Sequence, residues 1–543
     1  MVKSFITLLI AISVFNLKIL AQNKASYQII PLPQNIEEKS GAPFILDERT
    51  TVYVSEKQLQ KEAIFLAEYI QQLTGIQIAI TDKKEKSNQI QLSVKEDKMA
   101  NIQWPQESAE GYTLEIDHKL VKIIGKGNAG VFYGIQTLRK SLPPTKGHVE
   151  MSPILINDSP RFAYRGMHLD CSRHFYDIEF IKKFIDIIAF HNMNVFHWHL
   201  TDDQGWRLEI KRYPRLTGIG AWRSGTVMGH NSDLDDSIPH GGFYTQEQAR
   251  EIVAYASDRH ITVMPEIDLP GHTKAALASY PELGCTGGPY EVGHRWGVYA
   301  DVLCIGNEKC YKFVHDIIDE LIDIFPSKYI HIGGDEAPTV RWEACEKCKA
   351  VDRGGKSFQG YFTNKIVPYI ESKGRLAIGW DEILYTGADQ NTAIMSWRGA
   401  QPGAQAAAQG HKVVMTPNSH CYFDYQQTQQ VNREPGSNYG YIPVEKVYEL
   451  NPVPNDVDEA TQARILGVQA NTWAEHMRTK GMVEYMTLPR MAALSEVAWT
   501  QTANKNYEEF LQRLNRCTNF YDYFHWQYAK HLWPERRNNQ SLE

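Results

Sequence analysis

From residue 161 onward, short mainly apolar runs return along the chain, at residues 164–169, 194–199, 262–267, 329–332, 376–379, 393–396, 412–415 and 465–470. Runs of this length without polar alternation suit parallel strands buried on both faces. The stretches between most of them carry a different period. In 178–190, Phe180, Ile181, Phe184, Ile185 and Ile188 form a stripe on one helical face, and 245–260, 309–325 and 360–373 behave alike. The weakest helix follows Leu384, and 420–458 reads as a long loop region. Eight strands alternating with helices predict a (β/α)8 TIM barrel, and about 340 residues suit a barrel with loop insertions. A helical pattern at 507–514 is read as the barrel's C-terminal tail, which gives a domain of 161–543.

The preceding segment has a mixed rhythm. Residues 62–73 show helical periodicity ending at Gly75, 112–116 and 120–124 alternate like a hairpin around Asp117-His118-Lys119, and 127–142 reads as a second helix. Pro143-Pro144 and Ser159-Pro160 punctuate its end. This predicts a small α/β sandwich domain at 22–160, ahead of the barrel. Residues 1–21 combine Lys3, an apolar run from Phe5 to Phe15 and a plausible cleavage end at Ala21, so a signal peptide and export to the periplasm, the medium or the cell surface are expected. The run is too short for a membrane span and Lys18 interrupts it, so no transmembrane segment is expected.

Composition narrows the class. With 43% hydrophobic and 22% charged residues in 543, the chain can bury a large core. A net charge of −7 without a basic run excludes nucleic acid as an expected partner. Nothing in the pattern speaks to oligomeric state. Cys345-x-x-Cys348 resembles half a zinc site, but no second pair follows at a suitable spacing. The expectation is a short loop disulfide or free thiols, with Cys285 and Cys304 as a candidate staple for a long loop, and neither a metal nor a cofactor is expected.

Barrel chemistry sits at the C-terminal ends of the strands. Those ends are followed by Asp170-Cys-Ser-Arg-His174, Thr201-Asp-Asp-Gln-Gly-Trp-Arg207, Asp268-Leu-Pro-Gly-His272, Asp335-Glu336, Trp380-Asp-Glu382, Trp397-Arg398, Tyr422-Phe-Asp424 and Trp473-Ala-Glu475. Acids converge on one face with Arg173, His272 and the tryptophans Trp380, Trp397 and Trp473. Trp380, Trp397 and Trp473 can wall a box around a sugar ring, with Arg173, Asp424 and Glu475 hydrogen-bonding its hydroxyls. Gly333-Gly334 allows the backbone turn that lets neighbours Asp335 and Glu336 share a pocket. Inside such a box Glu336 is expected to have a raised pKa and to protonate a glycosidic oxygen.

Several long motifs in order carry a specific likeness: Arg165-Gly-Met-His-Leu-Asp-Cys-Ser-Arg-His, His197-Trp-His-Leu-Thr-Asp-Asp-Gln-Gly-Trp-Arg, Pro265-Glu-Ile-Asp-Leu-Pro-Gly-His, His331-Ile-Gly-Gly-Asp-Glu and Trp473-Ala-Glu. The chain resembles the β-N-acetylhexosaminidases of glycoside hydrolase family 20 from about Ile30 to Trp499. The resemblance implies an exo-acting, retaining enzyme that removes terminal β-linked N-acetylglucosamine or N-acetylgalactosamine from glycans. It implies that the substrate's acetamido oxygen is the nucleophile. Glu336 is then the acid and later the base, Asp335 steadies the oxazolinium intermediate and Tyr422 bonds the acetamido oxygen. Asp202 and His272 resemble the pair that tunes the acid, and Arg173, Asp424 and Glu475 the residues gripping the ring.

Other readings compete. A lacto-N-biosidase, which releases a disaccharide, belongs to the same family. A non-catalytic glycan-binding protein on this scaffold would not need the acid. His197-Trp-His199 is a His-x-His on a barrel strand, as in metal-dependent hydrolases. A glycosidase with two protein carboxylates would not need the acetamido group.

Overall fold

A computed structural model describes residues 23–95, 107–229, 232–429 and 440–536. The expected signal segment, 1–21, lies outside the described residues. The chain divides into two compact units, Met1–Ala163 with Ser495–Trp526, and Tyr164–Leu494 with Gln527–Glu543. Among the described residues, no helix is long and apolar enough to cross a membrane.

The second unit is a closed barrel of β1 (Tyr164–Asp170), β2 (Val195–His199), β3 (Thr262–Glu266), β4 (Tyr329–His331), β5 (Leu376–Trp380), β6 (Ala393–Ser396), β7 (Val413–Met415) and β8 (Ile465–Ala470). Every apolar run became a strand. Their near-continuous apolar character fits the burial of each strand between the packed barrel interior and the outer helices. The register levels the strand ends: Asp170 lies beside His199, His199 beside Glu266, and Glu266 beside His331. Groups far apart in sequence therefore meet in one layer.

The outer helices start where the sequence supplies caps. Asp177 accepts from the Phe180 N–H at 2.9 Å ahead of Ile178–Phe190, and Thr245 with Gln248 forms a reciprocal capping box ahead of Gln246–Ser257. The weak helix after Leu384 is a single turn, Glu382–Tyr385. The long loop region contains short helices Asn418–Cys421, Val444–Glu449 and Glu459–Gln462.

The first unit holds a seven-stranded mixed sheet, in the order Asn35–Glu38, Ile154–Asp158, Tyr112–Ile116, Leu120–Gly125, Gln89–Val94, Thr51–Val54 and Ala79–Thr81. Helices Gln60–Thr74 and Asn128–Ser141 accompany it. The sequence reading assigned the helical tail to the barrel, whereas helix Tyr507–Tyr523 belongs to this first unit. The contacts give the reason. Arg516 donates to the carbonyls of Lys140 and Ser141 at 2.7 and 2.8 Å, satisfying the end of helix Asn128–Ser141. Just upstream of the tail, the Trp499 indole N–H reaches Asp158 at 3.0 Å, and its ring packs edge-on against Tyr133 at 5.0 Å.

Candidate active site

β4 delivers Asp335 and Glu336 through a backbone path that few sequences can follow. Gly333 and Gly334 have φ of +66° and +90°. A Cβ on Gly333 would stand 1.7 Å from Asp268 Oδ1, and one on Gly334 would stand 2.4 Å from Ile383 Cγ2. Both the left-handed backbone and the missing side chains are required here. Glu336 is itself left-handed at φ +43°, as is His272 at +50°. Such conformations cost energy in non-glycine residues and concentrate at functional sites.

The two carboxylates enter a cavity of about 280 Å³ lined by Arg173, His272, Trp380, Trp397, Tyr422, Asp424, Trp473 and Glu475, so every expected site residue except Asp202 borders it. Asp202 lies one layer behind. It receives Arg173 Nη2 at 2.8 Å, His199 Nε2 at 3.0 Å and His272 Nδ1 at 3.2 Å. The other edge of the His272 ring faces Glu336 Oε2 at 3.5 Å and Asp335 Oδ2 at 3.7 Å. His272 thus links a buried acid to the two in the pocket. Burial opposes a charge on the ring, but Asp202, Asp203 and Glu336 outweigh it and raise its pKa well above the usual range.

One expectation is corrected. The pKa of Glu336 is lowered, chiefly by the charged His272 ring 3.5 Å away, and burial opposes this only partly because 43% of the side chain is exposed. The raised carboxyl is Asp335, lifted to about 6 by burial, with Glu336, Glu266 and Asp202 adding repulsion and His272 opposing it. The two acids are pushed apart as expected of a shared pocket, but in the opposite order.

The aromatic box is built from anchored rings. Trp380 is 1% exposed and forms the floor, its indole N–H on Glu266 Oε1 at 2.9 Å. Trp397 stacks beside Tyr422 with centroids 6.0 Å apart, and its N–H is fixed by Glu382 Oε2 at 2.9 Å. Trp473 lies 5.7 Å from Trp380, hydrogen-bonds Tyr422, and carries the Arg173 guanidinium 5.1 Å over its face. Arg173 is held by Gln204, Asp170 and Asp202 at 3.0, 3.2 and 2.8 Å, a fork that lysine cannot reproduce. Tyr422 and Asp424 are positioned by the Phe423 N–H bond to Asn471 O, 2.7 Å, just beyond β8.

Three carboxylate oxygens in this pocket, Asp335 Oδ1, Asp424 Oδ1 and Glu475 Oε2, are buried with no hydrogen-bond partner among the described residues. Burial, then mutual repulsion with Glu475, raises the Asp424 pKa well above the carboxylate range, and burial raises Glu475 against the pull of Arg173. An unpaired buried polar atom is costly, so these oxygens are set for donors from a ligand.

The sequence reading missed several contributors. Trp296, Gly297, Val298 and Tyr425 also line the cavity. The first three come from a long loop without periodicity. Glu382 has its pKa raised to about 8, first by burial and then by Asp335. Glu266 sits inside a quoted motif yet was given no role. Its carboxylate gathers His197 at 3.0 Å, His199 at 2.6 Å, His331 at 2.9 Å and the Trp380 indole. The His-x-His of the metal-hydrolase reading is therefore spent on Glu266, and neither histidine borders the cavity.

The barrel, the paired acids on a glycine turn and the tryptophan box define a glycosidase-like site, and comparison with known proteins identifies its family. Residues 162–502 match the glycosyl hydrolase family 20 catalytic domain and residues 26–159 match domain 2 of that family. The chain belongs to glycosyl hydrolase family 20. It is 42% identical over 507 residues to a β-hexosaminidase of Porphyromonas gingivalis, covering 90% of this chain and 62% of that protein. It is 30% identical over 521 residues to a β-N-acetylhexosaminidase of Cellulomonas fimi, covering 93% of this chain and 97% of that one. Among solved structures, a family 20 exo-β-N-acetylglucosaminidase of Vibrio harveyi, in complex with N-acetylglucosamine, matches with a TM-score of 0.81 and 30% identity, over 94% of this chain and 79% of that chain.

Proposed function

We propose that this protein is an exported, exo-acting β-N-acetylhexosaminidase that removes terminal β-linked N-acetylglucosamine or N-acetylgalactosamine from glycans with retention of configuration. The observation that carries the reading is Asp335. It is a largely buried carboxylate whose Oδ1 is buried without a hydrogen-bond partner among the described residues, next to the acid Glu336, in an aromatic-walled pocket. Two independent carboxylates flanking a glycosidic bond stand about 5–5.5 Å apart on opposite sides in retaining enzymes. Successive residues on one turn are badly placed for that, so a nucleophile carried by the substrate fits better.

In the proposed reaction Glu336 protonates the leaving oxygen while the acetamido oxygen attacks the anomeric carbon, and the intramolecular attack gains effective molarity. Asp335 accepts the acetamido N–H and offsets the positive charge of the oxazolinium ion, and Tyr422 donates to the acetamido oxygen as it becomes reactive. Glu336, now ionised beside the cationic His272, takes the proton from the incoming water. Arg173, Asp424 and Glu475 hold ring hydroxyls, with Trp380, Trp397 and Trp473 against the apolar faces of the sugar. A cavity of about 280 Å³ lies at the low end of ligand pockets, which favours one sugar ring over a disaccharide.

The test is hydrolysis of an aryl N-acetyl-β-glucosaminide beside the matching aryl β-glucoside, for wild type and Glu336→Gln, with chelator present. Cleavage of only the N-acetyl substrate, dependent on Glu336 and insensitive to chelator, is expected. Equal cleavage of both substrates would refute the substrate-assisted mechanism, and failure with both would return weight to a disaccharide-releasing enzyme or a glycan binder. Recovery of the native chain outside the cytoplasm, with its N-terminus near residue 22, checks export.

A further inference from the structure

Four of the eight cysteines converge outside the pocket. The Cys348 Sγ lies 3.8 Å from Cys285 and 3.5 Å from Cys304, and Cys304 lies 3.9 Å from Cys345. All four sulfurs lie within 4.8 Å of one another. All eight cysteines are unbonded thiols, so the expected Cys285–Cys304 staple is absent. The second pair sought after Cys348 stands before it in sequence, on another loop.

We propose that Cys285, Cys304, Cys345 and Cys348 form a structural tetrathiolate zinc site that clamps two loops of the active-site rim. Four ligands around zinc with Zn–S near 2.3 Å define a tetrahedron with sulfur–sulfur edges of about 3.8 Å. The three edges above bracket that value. Disulfides would need two contacts near 2.05 Å with the remaining sulfurs set apart. Here Cys304 and Cys348 each have two near neighbours, so no pairing is singled out. A fifth thiol close by, Cys310, is already committed to the Leu283 carbonyl at 3.1 Å.

The surrounding backbone is shaped to hold the sulfurs. Cys345 caps the short helix Glu346–Lys349, and the three-residue spacing brings Cys345 and Cys348 to one side of that turn. On the other loop, Cys304 is set by its N–H bond to Leu283 O at 2.8 Å. Gly306 presses on the Cys345–Cys348 turn so closely that a Cβ would meet Lys347 C and O at 2.3 Å. The Gly306 N–H also bonds the Cys348 sulfur. The seam continues through Trp342 Nε1 to Leu303 O at 2.8 Å and Arg341 Nε to Asp301 Oδ1 at 2.7 Å.

The two loops so joined have distinct duties. The segment between Cys285 and Cys304 carries Trp296, Gly297 and Val298 of the cavity wall, and the segment holding Cys345 and Cys348 follows Asp335 and Glu336. The clamp fixes rim to acid, and the metal takes no part in the reaction.

The full chain, purified without chelator or reductant, is analysed for metal by inductively coupled plasma mass spectrometry and for thiols by non-reducing intact mass. About one zinc per chain is expected, lost at least tenfold in Cys304→Ser and Cys348→Ser and retained in Cys517→Ser. Cobalt exchange should yield thiolate-to-metal charge-transfer absorption with the same dependence. A chain that is metal-free, with two disulfides or with all eight thiols free, would overturn the site, as would iron in place of zinc or zinc that survives Cys348→Ser. Metal content is read without turnover, so the site stands or falls apart from the glycosidase reading. Should the serine variants fail to fold, the wild-type stoichiometry and thiol count decide alone.

Discussion

Replacing Asp335 by Asn removes a buried negative charge while keeping the shape of the side chain, and its effect on the pH profile can be worked out from the site. The proposed chemistry needs Asp335 ionised and Glu336 protonated. In the free protein Asp335 holds its proton up to about 6, whereas Glu336 loses its proton below the ordinary value of 4.5. Asp335 is therefore the stronger base of the two, so the productive arrangement is the minor form of the singly protonated pair. The two groups titrate as a pair, so kcat/KM on an N-acetylhexosaminide with a poor leaving group should be bell-shaped, with an acid limb below 4.5 and a basic limb near 6. His272 stays charged across this window and adds no limb. In Asp335→Asn only Glu336 is left to titrate, so the basic limb should move below 4.5. The maximum should also fall by about 10²–10³, the usual cost of one lost transition-state contact, while KM changes little. The assay is initial-rate kcat/KM from pH 3.5 to 9 at constant ionic strength. A basic limb that stays near 6 in the variant, or a loss confined to KM, would refute the assignment.

Glu336→Gln should cost most of the rate on unactivated glycosides and far less on aryl substrates with good leaving groups, because only the former need protonation; equal losses on both would count against the acid role. Gly333→Ala should either destabilise the chain by more than about 1–2 kcal/mol, the cost of a left-handed alanine, or push the strand end off Asp268 and cut kcat/KM by about a hundredfold, as thermal melting and kinetics on the same sample would show. Arg173→Lys should lower kcat/KM by about ten- to a hundredfold, because an ammonium cannot hold Gln204, Asp170 and Asp202 together; wild-type kinetics would show that the fork is dispensable.

Local signals carried the architecture. Eight mainly apolar runs mark the barrel strands because a strand buried on both faces has few polar positions, and those it has, such as His197, His199 and Gln469, are buried too. Asp335 and Glu336 were legible because two glycines before two acids mark a backbone that must turn sharply, and the tryptophans were legible because barrel chemistry is confined to strand ends. Everything that depended on distance between loops was decided by the fold. The order of the two proton affinities was read wrongly from neighbours in sequence, since it is set by His272, which arrives from the end of another strand. Glu266 looked like one more acid in a motif until the register levelled it with His199 and His331 and brought His197, two residues back on β2, within reach. Trp296 had no periodicity to announce it. The tail at Tyr507–Tyr523 was assigned by adjacency in the chain, yet its apolar face and Arg516 complete the other unit. The second cysteine pair lay upstream of the first, on a different loop. Sequence periodicity reports what each segment buries, whereas electrostatics and ligand geometry depend on which segments meet, and only the closed barrel brings those together.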